Sequence, residues 1–284
     1  MYFVSGASGQ IGQLVAQELS ILANPKDVTL GSRHPDKLAA FAAKSFYTTR
    51  FDFDDAAGME KVLKGHDTLL LISGDGPNEA RTAQHVAAIA AAKAAGIKRI
   101  VYTSFINPTS KSQFTFAKSH EATETAIKAT GLAHTFLRNN QYAENLSGSL
   151  DYAKQAGALA LPGSKGKVAF ITRADIAKAA AAALIEKATG NKIYELTGPK
   201  AYDLYEVASL LSTQWNKPVT AAELPQDAFA GMLGGMGLPP FLVEALQGIR
   251  GAAGAGEYAA VSNDFEKLTG KKPESFESYL KRAA

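Results

Sequence analysis

The apolar tripeptide Tyr2-Phe3-Val4 passes through Ser5 directly into Gly6-Ala7-Ser8-Gly9-Gln10-Ile11-Gly12, after which Leu14, Val15 and Leu19 recur at helical spacing. A buried strand therefore feeds a helix through a glycine turn. A second apolar run, Val28-Thr29-Leu30, completes a βαβ unit. Such a unit commits the chain to parallel strands joined by crossover helices. The turn also suits one class of ligand. Glycines let the backbone approach a pyrophosphate closely, and the start of the helix offers unpaired N–H groups and a partial positive charge. Gly6, Ser8, Gly9, Gln10, Ile11 and Gly12 are accordingly assigned to a dinucleotide cofactor.

The second strand indicates which dinucleotide. NAD-preferring sites carry an acidic residue about 20 positions past the turn, where it binds the adenine ribose. Here the strand runs through Gly31-Ser32 into Arg33-His34-Pro35-Asp36-Lys37. A guanidinium and an ammonium thus occupy the region where a 2′-phosphate would sit. Arg33 and Lys37 read as NADP(H) ligands, or else as the solvated start of the next helix. Asp36 does not supply the missing carboxylate, because it follows Pro35 and belongs to the first turn of that helix.

The chain has 284 residues, enough for one large α/β domain or for a nucleotide-binding domain with a smaller lobe. Its 46% hydrophobic and 20% charged residues are those of a globular protein. A net charge of +3 with no arginine-rich run favours neither nucleic acid nor an anionic membrane as partner. The chain contains no cysteine, which excludes disulfides, thiolate metal sites and a cysteine nucleophile. The five histidines form no His-x3-His pair, so no metal is expected. A core strand beginning at Tyr2 and the lack of an apolar run of about 18 residues predict neither signal peptide nor membrane span. A cytoplasmic location is expected.

Strand-like runs at 46–53, 68–72, 99–103 and 134–137 alternate with helical patterns at 59–63 and 81–95, the latter stopped by Gly96. The fold class is α/β, a Rossmann-type doubly wound parallel sheet. Alanine-rich stretches at 87–95 and 177–183 fit helices packed closely against that sheet. Beyond residue 140 the pattern predicts a helix at 151–155 and a short strand at 168–171. Thr172-x-x-Asp175 reads as a capping box opening a helix to Leu184. A strand at 193–196 and an amphipathic helix at 203–215 follow. The expected division is a dinucleotide-binding domain over 1–145 and a smaller, mainly helical substrate lobe over 146–284, with 168–198 returning to the first domain. Glycine clusters at 231–237 and 248–256 read as mobile loops or a lid, or equally as surface connections without a catalytic role.

In open α/β sheets the ligand lies across the carboxyl ends of the strands. Ser73-Gly74, Thr103-Ser104-Phe105 and Asn139-Asn140-Gln141-Tyr142 should therefore surround the nicotinamide, with Ser73, Gly74, Thr103 and Asn140 as cofactor ligands. Asp52 falls near the adenine, where it accepts from the exocyclic amine or caps a turn. The spacing Gly6-x-x-Gly9-x-x-Gly12 resembles that of extended and atypical short-chain dehydrogenases/reductases. Members of that superfamily usually employ a Tyr-x3-Lys pair to protonate a carbonyl oxygen. The comparable segment here is Phe114-Thr115-Phe116-Ala117-Lys118, which lacks the phenol. Lys118 reads as a ribose contact or as a surface residue. Conventional alcohol dehydrogenase and sugar-nucleotide epimerase chemistry is thereby demoted.

Several further segments carry a narrower resemblance. They are Arg33-His-Pro-Asp-Lys37, His120-Glu-Ala-Thr-Glu124, Leu137-Arg-Asn139-Asn-Gln-Tyr142-x-Glu-Asn145, Thr172-Arg-Ala-Asp175 and the terminal Asn263-Asp264-Phe265-x-x-Leu268-x-Gly270. Together with the glycine turn they resemble the NmrA-like branch of atypical short-chain reductases, and within it the quinone- and dye-reducing members. The resemblance implies NADP(H) as cofactor and a flavin-independent transfer of hydride to a small quinone-like acceptor. It also implies that Asn139 and Tyr142 are the catalytic residues, with Asn139 bonding cofactor or acceptor through its amide, or else only tying two loops together. Two positions depart from the pattern: Gln141 stands where related quinone reductases can carry an aromatic, and Lys118 where they carry other residues. His120 and Glu124, four apart on one helical face, read as a structural hydrogen-bonding pair or a proton relay. A non-catalytic NADP(H)-binding redox sensor is the alternative from a different class. An isoflavone-reductase-like enzyme, which would want a well-placed lysine, is a third reading. The oligomeric state stays open.

Overall fold

The protein is described here by a computed structural model covering residues 1–187 and 190–283. The first half alternates strand and helix: β1 (Tyr2–Val4), α1 (Gln10–Leu22), β2 (Val28–Ser32), α2 (Ala39–Ala42), β3 (Tyr47–Arg50), α3 (Ala56–Leu63), β4 (Thr68–Leu71), α4 (Asn78–Ala95), β5 (Arg99–Phe105), α5 (Ala117–Ala129) and β6 (Ala133–Asn139). Then come α6 (Ser147–Ala156), β7 (Ala158–Leu161), α7 (Arg173–Ile185), β8 (Lys192–Leu196), α8 (Leu204–Trp215) and β9 (Thr220–Glu223). The chain ends in α9 (Gln226–Gly235), α10 (Pro240–Gly254), α11 (Asp264–Thr269) and α12 (Phe276–Ala283).

Seven strands pair in the order β3-β2-β1-β4-β5-β6-β8, all parallel. The α/β doubly wound class is thus the observed one. Chain direction across the sheet reverses between β1 and β4, which opens a crevice at their carboxyl ends. β5 is buried along its whole length because helices cover both faces. On one face α7 packs between α1 and the sheet, and Ala177, Ala179, Ala180, Ala181 and Ala183 are all fully enclosed there. Short side chains are what such close packing admits. On the other face α4 and α5 cover a cluster centred on Phe3, Tyr102 and Phe136. β8, although late in the sequence, pairs with β6 from Thr135↔Lys192 to Asn139↔Leu196.

A separate core holds α6, β7, α8, β9, α9, α10 and α12 together and includes Leu150, Leu159, Leu204, Phe229, Tyr258 and Phe276, whereas α11 packs on α7 and β8. Within it β7 and β9 form a two-stranded parallel sheet that the sequence did not signal. Residues 168–171 form no strand. Tyr142↔Ile171 and Val168↔Tyr202 are isolated bridges, and Ala169 N donates to Tyr258 O, so this extended segment stitches the two cores together. Thr172 caps α7 by accepting from Asp175 N at 3.1 Å. The reciprocal half of that capping box is missing, because the Asp175 carboxylate instead accepts from Lys178 Nζ at 2.9 Å and Glu274 N at 2.7 Å.

Both glycine clusters expected to be loops are largely helical, forming α9 and α10. In α10 the reason is close approach. A Cβ on Gly248 would lie 2.4 Å from the Gln113 carbonyl oxygen, and one on Gly251 would lie 2.3 Å from Gln113 Oε1. Just beyond α10, the Glu257 carboxylate accepts from Asn107 Nδ2 at 2.7 Å, Ser112 Oγ at 2.6 Å and Gln113 N at 3.2 Å, which fastens the loop following β5.

Candidate active site

The turn between β1 and α1 is shaped by its outer glycines. Gly6 has φ of +62°, a left-handed conformation that glycine adopts without a Cβ penalty. A Cβ on Gly12 would fall 2.3 Å from the Gly6 carbonyl oxygen and 2.6 Å from Ala7 Cα. Ala7 N donates to Gly31 O at 3.0 Å, so the turn is tied to the carboxyl end of β2. The amides at the start of α1 lack intrahelical partners and face the crevice, as anion binding requires.

The crevice is a cleft of about 690 Å³, within the range of small-molecule sites. Its floor is the turn residues Gly6, Ser8, Gly9, Gln10, Ile11 and Gly12. Arg33, His34 and Lys37 line one end beside Ser32, whose hydroxyl is 2.6 Å from Ser8 Oγ and accepts from His34 N at 3.0 Å. No carboxylate ends β2. Phe51, Asp52 and Phe53 form the adjoining wall. Asp52 does two things there, accepting from Arg50 at 2.7 Å and from Asp54 N at 3.3 Å while facing the cleft. Ile72, Ser73, Gly74, Asp75 and Gln84 line the opposite side, and Tyr142 and Arg173 close the far end. A dinucleotide fits this donor set: backbone amides for a pyrophosphate, cations at one end, and the apolar rings of Phe51 and Phe53 for a base.

The loop after β4 is held from behind by a buried imidazole. Gly74 N donates to His85 Nε2 at 3.1 Å, which leaves the proton on Nδ1, facing Thr123 Oγ1 at 2.9 Å; Thr123 in turn donates to Ser119 O at 2.7 Å. Burial, reinforced by Arg81, lowers the His85 pKa to about 3, so the ring is neutral and stays an acceptor for Gly74. Thr103 acts at one remove, since its Oγ1 accepts from Ser73 N at 2.8 Å.

The segment after β6 is more enclosed than strand ends suggest. Asn139 is fully buried; its Nδ2 donates to Tyr142 Oη at 3.2 Å and its Oδ1 has no partner. Asn140 is also fully buried, donating to Tyr258 O at 3.0 Å and accepting from Gln141 N at 2.7 Å. Burial raises the Tyr142 pKa, so the phenol keeps its proton. The Arg173 guanidinium stands 5.3 Å over the Tyr142 ring and donates to Asn145 Oδ1 at 2.9 Å.

Twelve of the residues predicted from sequence therefore meet in one cleft: the six of the turn, Arg33, Lys37, Asp52, Ser73, Gly74 and Tyr142. Thr103, Asn139 and Asn140 lie behind its wall. Lys118 is exposed and outside the cleft, while Phe114 packs into the second core 4.7 Å from Phe105. His120 and Glu124 are not bonded to each other. His120 Nδ1 pairs with Tyr102 Oη at 2.8 Å, whereas Glu124 accepts from Ser104 Oγ at 2.8 Å and from Arg138 at 3.0 and 2.8 Å. Sequence reasoning missed Asp75, Gln84 and Arg173 as lining residues. For Arg173 a signal existed, since it follows the Thr172 cap of a helix expected to return to the sheet.

Among the described residues no group of histidine and carboxylate side chains could hold a metal, and no helix is long and apolar enough to cross a membrane. The protein family described as NAD(P)H-binding matches residues 6–187. Quinone oxidoreductase 2 of Escherichia coli strain K12 is 35% identical over 270 residues, covering 95% of this chain and 94% of its own. The NAD(P)H azoreductase of Xenophilus azovorans is 26% identical over 284 residues, covering 100% and 98%. The crystal structure of Citrobacter sp. triphenylmethane reductase complexed with NADP(H) superposes with a TM-score of 0.94 at 30% identity, over 100% of both chains. The chain belongs to the NAD(P)H-binding, NmrA-like family and is an NAD(P)H-dependent oxidoreductase.

Proposed function

We propose that the cleft takes NADPH in preference to NADH and that the protein reduces a quinone, or a similarly conjugated small molecule, without a flavin. The observation that carries the reaction type is what replaces the usual proton-donating pair. Phe114 is packed in a core and Lys118 is exposed, so the segment that usually supplies the tyrosine–lysine pair brings neither group to the cleft. A quinone needs none, because its electrons delocalise into the ring and the oxyanion formed is weakly basic. When bound, the reduced nicotinamide supplies a hydride, which with one proton from solvent converts the quinone to its hydroquinone. The chain's task is then orientation, the holding of two flat rings in contact.

In this reading Arg33 and Lys37 bind the 2′-phosphate, and the amides of Gln10, Ile11 and Gly12 hold the pyrophosphate, with Arg173 facing them across the cleft. Asp52 takes the adenine amine. His85 and Thr103 fix Gly74 and Ser73, respectively, against the nicotinamide ribose. Tyr142 accepts from Asn139 and is left with its phenolic hydrogen to donate into the cleft, to the carboxamide or the acceptor oxygen; Asn139 acts through it as a positioning residue. The names of the relatives point the same way, since one reduces quinones, one azo compounds and one triphenylmethane dyes.

The test is the absorbance decay of NADPH with purified, flavin-free protein and 1,4-naphthoquinone. The proposal predicts decay that depends on the quinone, exceeds the uncatalysed rate and is faster with NADPH than with NADH. NADPH binding without such decay would contradict it and favour a sensor that regulates a protein partner.

A further inference from the structure

A second, smaller cavity lies behind the far end of the cleft, beneath α9 and α10. Its volume is about 70 Å³, and Gln141, Leu146, Phe170, Phe229, Leu246 and Ile249 line it. Tyr142 and Arg173 face the cleft, Gln141 and Asn145 face the cavity, and the 2.9 Å bond from Arg173 to Asn145 Oδ1 joins the two linings. The cavity wall contains a poorly met donor. Gln141 is only 3% exposed; its Nε2 and the Tyr258 hydroxyl lie beside each other, too far apart for a good hydrogen bond, and neither has another partner. Buried polar atoms without good partners are uncommon and call for an explanation.

As it stands the cavity is too small for a ring, since benzene occupies an engineered cavity of about 150 Å³. Admission therefore requires one wall to move, and α9 is built for that. Gly231, Gly234 and Gly235 lie within this helix, yet a Cβ on any of them would meet nothing within 4 Å. No packing constraint calls for glycine there, and its effect is to weaken the helix. In α10 the reverse holds, because Cβ atoms on Gly248 and Gly251 would fall 2.4 and 2.3 Å from Gln113. Pro225 precedes α9 and Gly237 (φ +76°) follows it, before Pro239 and Pro240, which gives the helix a defined hinge at its carboxyl end.

We propose that α9 is the lid of the acceptor site. It swings or unwinds to enlarge the cavity, and parting of the Arg173–Asn145 bond joins the cavity to the cleft, so that a flat, largely apolar ring bearing a carbonyl, whose oxygen accepts from Gln141 Nε2, can meet the nicotinamide. This proposal rests on the reductase reading, and its test separates the two. The double variant Gly231→Ala/Gly234→Ala stiffens α9 without filling occupied space. In the wild type, amide hydrogens of α9 should exchange at least about tenfold faster than those of α10. The double variant should slow α9 exchange, leave the NADPH Kd within about twofold, and lower kcat/KM for 1,4-naphthoquinone at least about threefold. Gln141→Leu should raise the naphthoquinone KM about 3–10-fold, as expected for one lost hydrogen bond. Exchange in α9 as slow as in α10, or unchanged quinone turnover in the double variant despite slowed exchange, would overturn the lid. If the wild type binds NADPH but reduces no quinone, the reductase reading fails. The lid is then judged by exchange in the NADP⁺-bound protein: protection of α9 by added naphthoquinone supports it, and no protection refutes it.

Discussion

The two sides of the active site differ in how far they are prepared. On the cofactor side an open cleft of about 690 Å³ is already formed, its floor set by a turn that tolerates no extra atom and its loops fastened from behind by His85. On the acceptor side there is a cavity of about 70 Å³ under a helix whose glycines touch nothing. A binding surface for a constant ligand is preorganised at the cost of versatility. An entry for acceptors of varied shape gains from a wall that yields, and local opening is confined to the least stable element. The contrast recurs within the second lobe, where the α10 glycines serve packing and the α9 glycines do not.

Substitutions on the two sides should therefore separate, cofactor affinity responding to one set and acceptor kinetics to the other. The largest effect is expected from Gly12→Ala, whose methyl would overlap backbone atoms at 2.3 and 2.6 Å. Overpacking of this kind costs about 1–3 kcal/mol or more, and it would spoil the pyrophosphate turn as well. A lowered Tm together with loss of NADPH binding by fluorescence titration would confirm it. Next, Arg33→Ala should weaken NADPH by about 1–3 kcal/mol, roughly 5–150-fold in Kd, while leaving NADH and the naphthoquinone KM nearly unchanged. Equal loss for both dinucleotides would break the assignment of that end of the cleft to a 2′-phosphate.

Acid should also act on the cofactor side. His85 has a folded pKa of about 3, against roughly 6.5 when unfolded. Between those values the unfolded state binds more protons than the folded one, so stability rises with pH across this window and is lost as pH falls below about 6.5. At pH 5 the loss from His85 is about 2 kcal/mol. His120, whose pKa burial also pushes well below the ordinary value, adds to it in the same direction. Thermal melts at pH 7 and 5 check the direction, and NADPH affinity of the folded protein should not follow the melts, because folded His85 stays neutral at pH 5 and keeps accepting from Gly74. The smallest effect is Gly231→Ala, a gain of up to about 1 kcal/mol from helix propensity alone, seen as a Tm about 2–4 °C higher. Gly248→Ala, facing the Gln113 carbonyl at 2.4 Å, should have the opposite sign.

Much of the cofactor side was legible in the sequence because its signals are local. A strand, a glycine turn and a helix adjoin one another, and Arg33 and Lys37, just after β2, line the same cleft. What stayed hidden depends on long-range neighbours. β7 and β9 read as Ala-Leu-Ala-Leu and Thr-Ala-Ala-Glu, too short and too poor in β-branched residues to announce partners 62 positions apart. Glycine clusters were expected to break helices, yet α10 forms because its glycines let it lie against residues 113–114. Whether a residue at a strand end faces the cleft is likewise a tertiary matter. Tyr142 covers Asn139, and the 258 carbonyl claims Asn140, facts that no spacing in the sequence encodes.

The central claim is direct hydride transfer from NADPH to an acceptor with no flavin between them. A cationic triphenylmethane dye tests it most directly, because hydride adds to the central carbon and a deuterium delivered there does not exchange. Flavin-free protein would be given NADPH deuterated at the transferred C4 position, each face in turn, and the colourless product weighed by mass spectrometry. The account predicts product one mass unit heavier with one of the two deuterated cofactors. Product without deuterium from either, or no reduction of dye by protein that binds NADPH, would contradict it.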